Sequence, residues 1–218
     1  QINFATKSKP MSSNWAEENL QVIRTLMERS VLYRRTMAPM TLIAGILGFL
    51  GAGIGHFQKL NDLPSFLRLW CIIAGIGLLV AARLIRTQAM KSEEPFWTPP
   101  AKRIFQAMLP AFIIGGGFTA PFVFPRAGLN PPVMFFVVSW LVLYGFGLHS
   151  AGFFVAKGIK RLGWIFLFSG MLVTWNELTQ FSVGSIPSPH ILMGTTFGGF
   201  HFVSWIYLLF TEKKDETA

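Results

Sequence analysis

The chain has 218 residues, of which 52% are hydrophobic and 13% charged, with 22 Phe and 21 Gly. A soluble domain carries about 25% charged residues, so this composition excludes an ordinary water-soluble domain and requires most of the length to face lipid. The formal net charge of +9 does not call for nucleic acid, because the basic residues flank the apolar runs, where they meet anionic headgroups.

Residues 1–36 form the longest polar stretch and are expected to be a cytoplasmic segment, too short for a core of its own. Asn14 followed by Glu17 has the spacing of a capping box. The helix it opens places Leu20, Ile23, Met27 and Val31 on one face, with Val22 and Leu26 beside them. Such an amphipathic helix lies in the cytoplasmic membrane interface, as its Arg residues favour, or docks a partner subunit. The sequence starts at Gln1, and nothing before Met37 has the apolar core of a signal peptide.

Six apolar stretches follow, at 37–56, 66–85, 104–124, 133–153, 162–181 and 191–210. Each approaches the ~20 residues needed to cross a bilayer. The expected fold is therefore all-α, a polytopic bundle of six transmembrane helices over 37–210 with a cytoplasmic tail at 211–218. The fifth stretch is the weakest, because its apolar part ends at Trp175 and Asn176 and Glu177 follow. Turn-forming residues separate the stretches, at Asn61-Asp62 with Pro64, at Pro95 to Pro100, at Pro125 to Pro132 and at Ser185 to Pro189. On this topology 16 of the 19 Lys and Arg fall on one side, leaving only Lys59, Arg68 and Arg126 on the other. That bias is the positive-inside signature and puts both termini in the cytoplasm.

Small residues recur at four-residue spacing: Ala44, Gly48 and Ala52; Gly51 and Gly55; Gly77 and Ala81; Ala111 and Gly115; Gly116 and Ala120; Gly194 and Gly198. Such positions let two helix backbones approach closely, so Gly48, Gly51 and Gly55 are candidate interface residues, within the chain or with a partner. Gly115-Gly116-Gly117, between Pro110 and Pro121, has the alternative reading of a broken transporter helix.

Ionisable groups at membrane depth are the candidates for chemistry. His201 stands ~15 Å from the outer end of its span and His149 ~24 Å, by the helical rise. Two axial ligands of one haem must share a depth, so this ~9 Å offset excludes a shared haem. Each would singly hold a tetrapyrrole, with Gly198 or Gly145 leaving room for the ring. The alternative is a neutral histidine bonded to a neighbouring helix, with Ser150, Ser204 or Thr195 as partners. A single-histidine haem with Met193 of the same helix is excluded by its ~12 Å axial separation, which leaves Met134 and Met171. The balance of these readings is a protein without a cofactor. At the outer end His56, Asp62, Glu177 and His190 would have to converge to hold a metal, which their spacing does not enforce. Cys71 is the single cysteine, which removes an intrachain disulfide and Cys-based zinc motifs. No catalytic signature is present.

The chain resembles a family of bacterial six-helix integral membrane proteins to which no activity is assigned. The likeness rests on Glu18-Asn19-Leu20 through Ile23-Arg24, Met27-Glu28-Arg29-Ser30, Pro95-Phe96-Trp97, Trp140 through Gly145, and Phe197-Gly198-Gly199-Phe200-His201. It implies the inner membrane and directs attention to His201 and the front helix, with no catalytic role for either. The family pattern has a different residue at His149.

The expected function is a non-catalytic accessory or scaffold subunit of a larger membrane assembly, respiratory or photosynthetic. The alternatives are a small transporter or ligand-binding protein with its site near His201, and a sensor acting through the N-terminal helix. The expected partners are the lipid bilayer and other membrane subunits, with no nucleic acid.

Overall fold

The computed structural model describes residues 20, 37–91, 99–124, 131–155, 157–179 and 188–216, with backbone alone at 99–100, 157 and 212–216. The chain forms two compact units, Gln1–Tyr33 and Arg34–Ala218. In the first, only Leu20 is described, in a helix and 64% exposed. Ile23, Met27, Val31 and the Asn14–Glu17 capping box lie outside the described residues.

The second unit is all-helical among its described residues, as the apolar periodicity requires. Its helices are α1 (Met37–Phe57), α2 (Leu63–Lys91), α3 (Pro99–Val123), α4 (Val133–Ala151), α5 (Lys157–Thr179), α6 (Pro189–Met193) and α7 (His201–Glu216). A π-helical segment, Gly194–Phe200, joins α6 to α7, so the three form one continuous rod.

Five of these rods are long and apolar enough to cross a membrane: α1, α2, α3, α4 and the last rod over Pro189–Thr211. The chain is thus a membrane-type helical protein. The sixth expected span, α5, has 23 residues but does not meet the same standard. Lys157, Lys160 and Arg161 occupy its start, and Asn176 and Glu177 interrupt its end.

Consecutive rods pack antiparallel. The α1–α2 turn is set by a Schellman motif, in which the Lys59 amide donates to the His56 carbonyl (3.2 Å) and the Leu60 amide to the Gly55 carbonyl (3.0 Å). Lys59 takes the left-handed conformation this motif needs, at φ 54°. Asp62 then caps α2 by accepting from the Ser65 amide at 3.0 Å. Further along, Gly51 meets Trp70 and Ile73, and Gly77 meets Leu47.

In the α3–α4 pair, Thr119 lies beside Trp140 and Gly147 beside Ala111. In the α4–α5 pair, Gly170 lies beside Val142, Gly163 beside His149 and Gly152 beside Lys160. Helix α5 returns against the last rod, with Gly158 beside Tyr207 and Phe166 beside Phe197. Helix α1 also lies against that rod, where Gly45, Gly48 and Gly55 meet Phe202, Gly198 and His190 in turn.

This alternation gathers Arg83, Arg86, Lys91, Lys102, Arg103, Lys160 and Arg161 at one end of the bundle and Lys59, Asp62, Arg68 and Glu177 at the other. The core is built around Phe66, Leu67, Trp70, Phe136, Val137, Leu141, Leu162 and Phe166. Outside it, Leu79, Phe146, Phe168, Leu172 and Phe210 present apolar surface outward, as lipid solvation requires.

Candidate functional site

The deepest polar cluster surrounds His201, which is 3% exposed. Its ring is enclosed by Tyr144 of α4, Phe166 of α5 and Phe197 of the π segment, with centroids 5.5, 5.4 and 6.4 Å away. Nδ1 lies 2.7 Å from the Phe197 carbonyl, and Nε2 lies 2.8 Å from the Tyr144 hydroxyl. A carbonyl only accepts, so Nδ1 carries the ring hydrogen. In the neutral imidazole, the form that burial away from water favours, Nε2 then accepts from Tyr144.

The π segment explains the first of these bonds. A π turn takes one residue more than an α turn and shifts the pairing of amides with carbonyls. The His201 amide bonds the Gly198 carbonyl, and the His201 ring supplies a donor to the Phe197 carbonyl. In an unbroken α-helix, residues eleven apart stand within ~20° of one another, so His201 would face the same side as His190. The extra residue turns it by ~100°, onto the α4–α5 side.

His190, fully buried, anchors the other half of the rod. The Trp70 indole N–H donates to Nδ1 at 3.3 Å. An indole nitrogen only donates, so the hydrogen sits on Nε2, which gives it to the Leu60 carbonyl at 2.9 Å. Phe66 packs on the ring at 5.0 Å. A side chain at Gly55 would overlap this ring, so glycine there is the steric condition for the anchor. A third link is Thr119, which accepts from the Trp140 indole at 3.0 Å and donates to the Gly115 carbonyl at 2.6 Å.

His149 belongs to none of these links. It lies at the α4–α5 contact, between Trp164 (5.0 Å) and Phe153 (5.4 Å), and its buried Nδ1 has no hydrogen-bond partner. Tyr144, level with His201, precedes it by five residues, ~7.5 Å along α4, so the two histidines do not meet. No three of the described His, Cys, Asp and Glu side chains form a metal-holding group, and His190 directs its nitrogens at Trp70 and Leu60 instead.

For a tetrapyrrole, His201 would need a free Nε2 lone pair, which Tyr144 occupies. Gly48, Gly51 and Gly55 all face helices of the same chain, Gly48 and Gly55 against the last rod and Gly51 against α2. Tyr144, Trp70 and Thr119 were not among the residues that sequence reasoning singled out. Their only sequence signal is a hydrogen-bonding group within an apolar stretch. Compared with protein-family models, with curated proteins and with solved structures, the chain matches none.

Proposed function

We propose that this chain is a non-catalytic inner-membrane protein that serves as an accessory or scaffold subunit, receiving partner helices on α3. It crosses the bilayer six times with both termini cytoplasmic, and it belongs with the bacterial six-helix proteins its motifs resemble. Six crossings are supported by α5, which runs antiparallel to both α4 and the last rod, and by α1 running antiparallel to that rod. An odd number of crossings would set α1 and the last rod parallel. The basic end of the bundle supplies the orientation.

The observation that carries the scaffold reading is the contrast between two sets of glycines. Gly45 and Gly48 of α1 and Gly145, Gly152 and Gly163 of the α4–α5 pair press on neighbouring backbone. On α3, a side chain at Gly116 or Gly117 would meet nothing, and Ala120 beside them is exposed. Only 11% of the α3 apolar stretch is buried inside the chain, against 33% for α1, α4 and the last rod. Glycine in a helix forfeits ~0.5–1 kcal/mol relative to alanine, which close approach of another helix offsets.

The links around His201 and His190 serve as fasteners within the bundle. The alternative of a transporter centred on His201 is not favoured, because that ring is enclosed by aromatic side chains and both its nitrogens are engaged. The test is Gly117→Ile, at a position where an added Cβ meets nothing inside the chain. It should leave thermal stability unchanged or slightly raised and weaken the retention of membrane partners through purification. Unchanged retention would contradict the α3 assignment.

A further inference from the structure

We infer that the last rod carries a register switch, in which Gly194–Phe200 passes between its π form and an uninterrupted α-helix, with the Tyr144–His201 hydrogen bond as the latch. The inference is independent of the scaffold reading, since it concerns the inner face of the rod rather than α3.

Both forms satisfy nearly every backbone group, and they differ in how the pairing is shifted by one residue. In the π form, the Phe197 carbonyl receives its hydrogen from the ring of His201. That donation requires the hydrogen on Nδ1, and Tyr144 holds it there by presenting an O–H to Nε2. Without the hydroxyl, the Phe197 carbonyl still holds Nδ1–H, but the Nε2 lone pair is left unpaired in the π form, which shifts the balance toward the α register in an environment without water.

Three of the seven π residues are glycine, and a side chain at Gly199 would meet nothing. Beyond Phe200, only His201 and Leu208 are buried among the described side chains of α7, while Val203, Ile206, Leu209 and Phe210 face outward. The α6 half is fixed separately, by His190 on Trp70 and Leu60 and by Gly194 on Ala52. The pivot therefore lies between the α6 half and an α7 half that is held by Gly45 on Phe202, Gly158 on Tyr207 and the buried Leu208, contacts that the change of register must exchange. Removing the extra residue's turn rotates α7 by ~100° and slides it ~1.5 Å. That motion carries the Tyr207 hydroxyl away from the Arg161 guanidinium, which donates to it at 2.9 Å. A change at mid-membrane depth is thereby delivered to the basic end of the bundle.

Amide relaxation dispersion in lipid nanodiscs tests the switch on the whole chain, unmodified, as Tyr144→Phe and with Gly199 deleted. Microsecond-to-millisecond exchange is expected across residues 194–211 and not across 136–141 of α4. Tyr144→Phe should raise the minor population about fivefold to tenfold, the effect of losing one hydrogen bond. Deleting Gly199 should abolish the exchange by leaving only the α register. Flat profiles over 194–211 in both the unmodified chain and Tyr144→Phe would overturn the inference. Exchange spread equally through α4 would overturn it as well, because that is loosening of the bundle rather than a register change.

Discussion

Gly48 of α1 and Gly198 of the π segment meet backbone to backbone: a Cβ at Gly48 would lie 2.5 Å from the Gly198 nitrogen and 2.7 Å from its Cα. Neither contact has a flexible side chain that can yield. Gly48→Ala must push α1 off the last rod, with an expected loss of about 1–3 kcal/mol, the usual range for overpacking. Gly53→Ala on the same helix meets nothing and should be neutral or stabilising by about 0.5–1 kcal/mol. Thermal unfolding of the two variants in one detergent checks the pair, and equal effects would contradict the contact.

At the turn between α1 and α2, the Asp62 carboxyl is held below its ordinary value of 3.8 by the Ser65 hydroxyl first and the Ser65 amide next. The folded-state value is the lower one, so the cap contributes its stability above about pH 4 and loses it as pH falls through the folded value. Asp62→Ala should be less stable at neutral pH and should approach the parent as the solution is acidified toward pH 2. An unchanged gap over that range would show that Asp62 does not cap α2. The effect is small, because the carboxylate is exposed and screened.

How much of this was legible beforehand varies by element, for physical reasons. Apolar runs of bilayer length identify helices whatever their neighbours, so the all-α class and the five long apolar rods could be read directly. The weak fifth helix was visible too, since Asn176 and Glu177 interrupt it in plain view. Depth along a rod follows from counting, which placed His201 near the midplane and away from His149. Its partner did not follow, because Tyr144 is 57 residues earlier and nothing local pairs them. The same holds for Trp70 and His190, 120 residues apart.

The π segment was illegible for another reason: Gly-Thr-Thr-Phe-Gly-Gly-Phe is compatible with an ordinary α-helix. It is the packing of α6 and α7 on different neighbours that calls for the extra residue. Glycine spacing predicted close contacts, but it could not tell that Gly51 faces α2 while Gly48 and Gly55 face the last rod.

His201 has both nitrogens engaged, so the purified protein is expected to be colourless, with no haem or chlorophyll-type bands. His201→Ala should then change stability by about 1 kcal/mol, the scale of one interhelical hydrogen bond in a membrane, and leave the absorption spectrum unaltered. Visible bands that vanish in His201→Ala would show that a ring displaces Tyr144 from Nε2.

Replacing Trp70 by Phe removes the indole donor to His190 and keeps most of the packing. The ring then has no partner fixing its Nδ1 lone pair, and the Leu60 carbonyl remains to hold Nε2–H. Nitrogen-15 NMR of labelled histidine should show His190 as the Nε2–H tautomer in both proteins, with a displaced Nδ1 resonance in Trp70→Phe. The expected stability loss is about 1 kcal/mol. A single unchanged Nδ1 resonance would contradict the bond.

Topology can be read by thiol labelling in a Cys71→Ser background. Cysteines at Asp62 and Ser188 should react from the outer side, and those at Lys91 and Lys213 from the cytoplasm. Because Asp62 and Ser188 flank α2 through α5, reaction of both from one side requires an even number of crossings between them and hence that α5 crosses. Labelling of Ser188 from the cytoplasm would remove α5 from the membrane and reduce the spans to five.

The scaffold reading stands or falls on whether the chain lives in an assembly. Extraction from its own membrane in a mild detergent, followed by mass determination of the particle, measures that directly. The account predicts a mass well above one chain plus its detergent belt, with other membrane subunits present in fixed ratio. A particle of a single 24.4 kDa chain under every mild condition would contradict it.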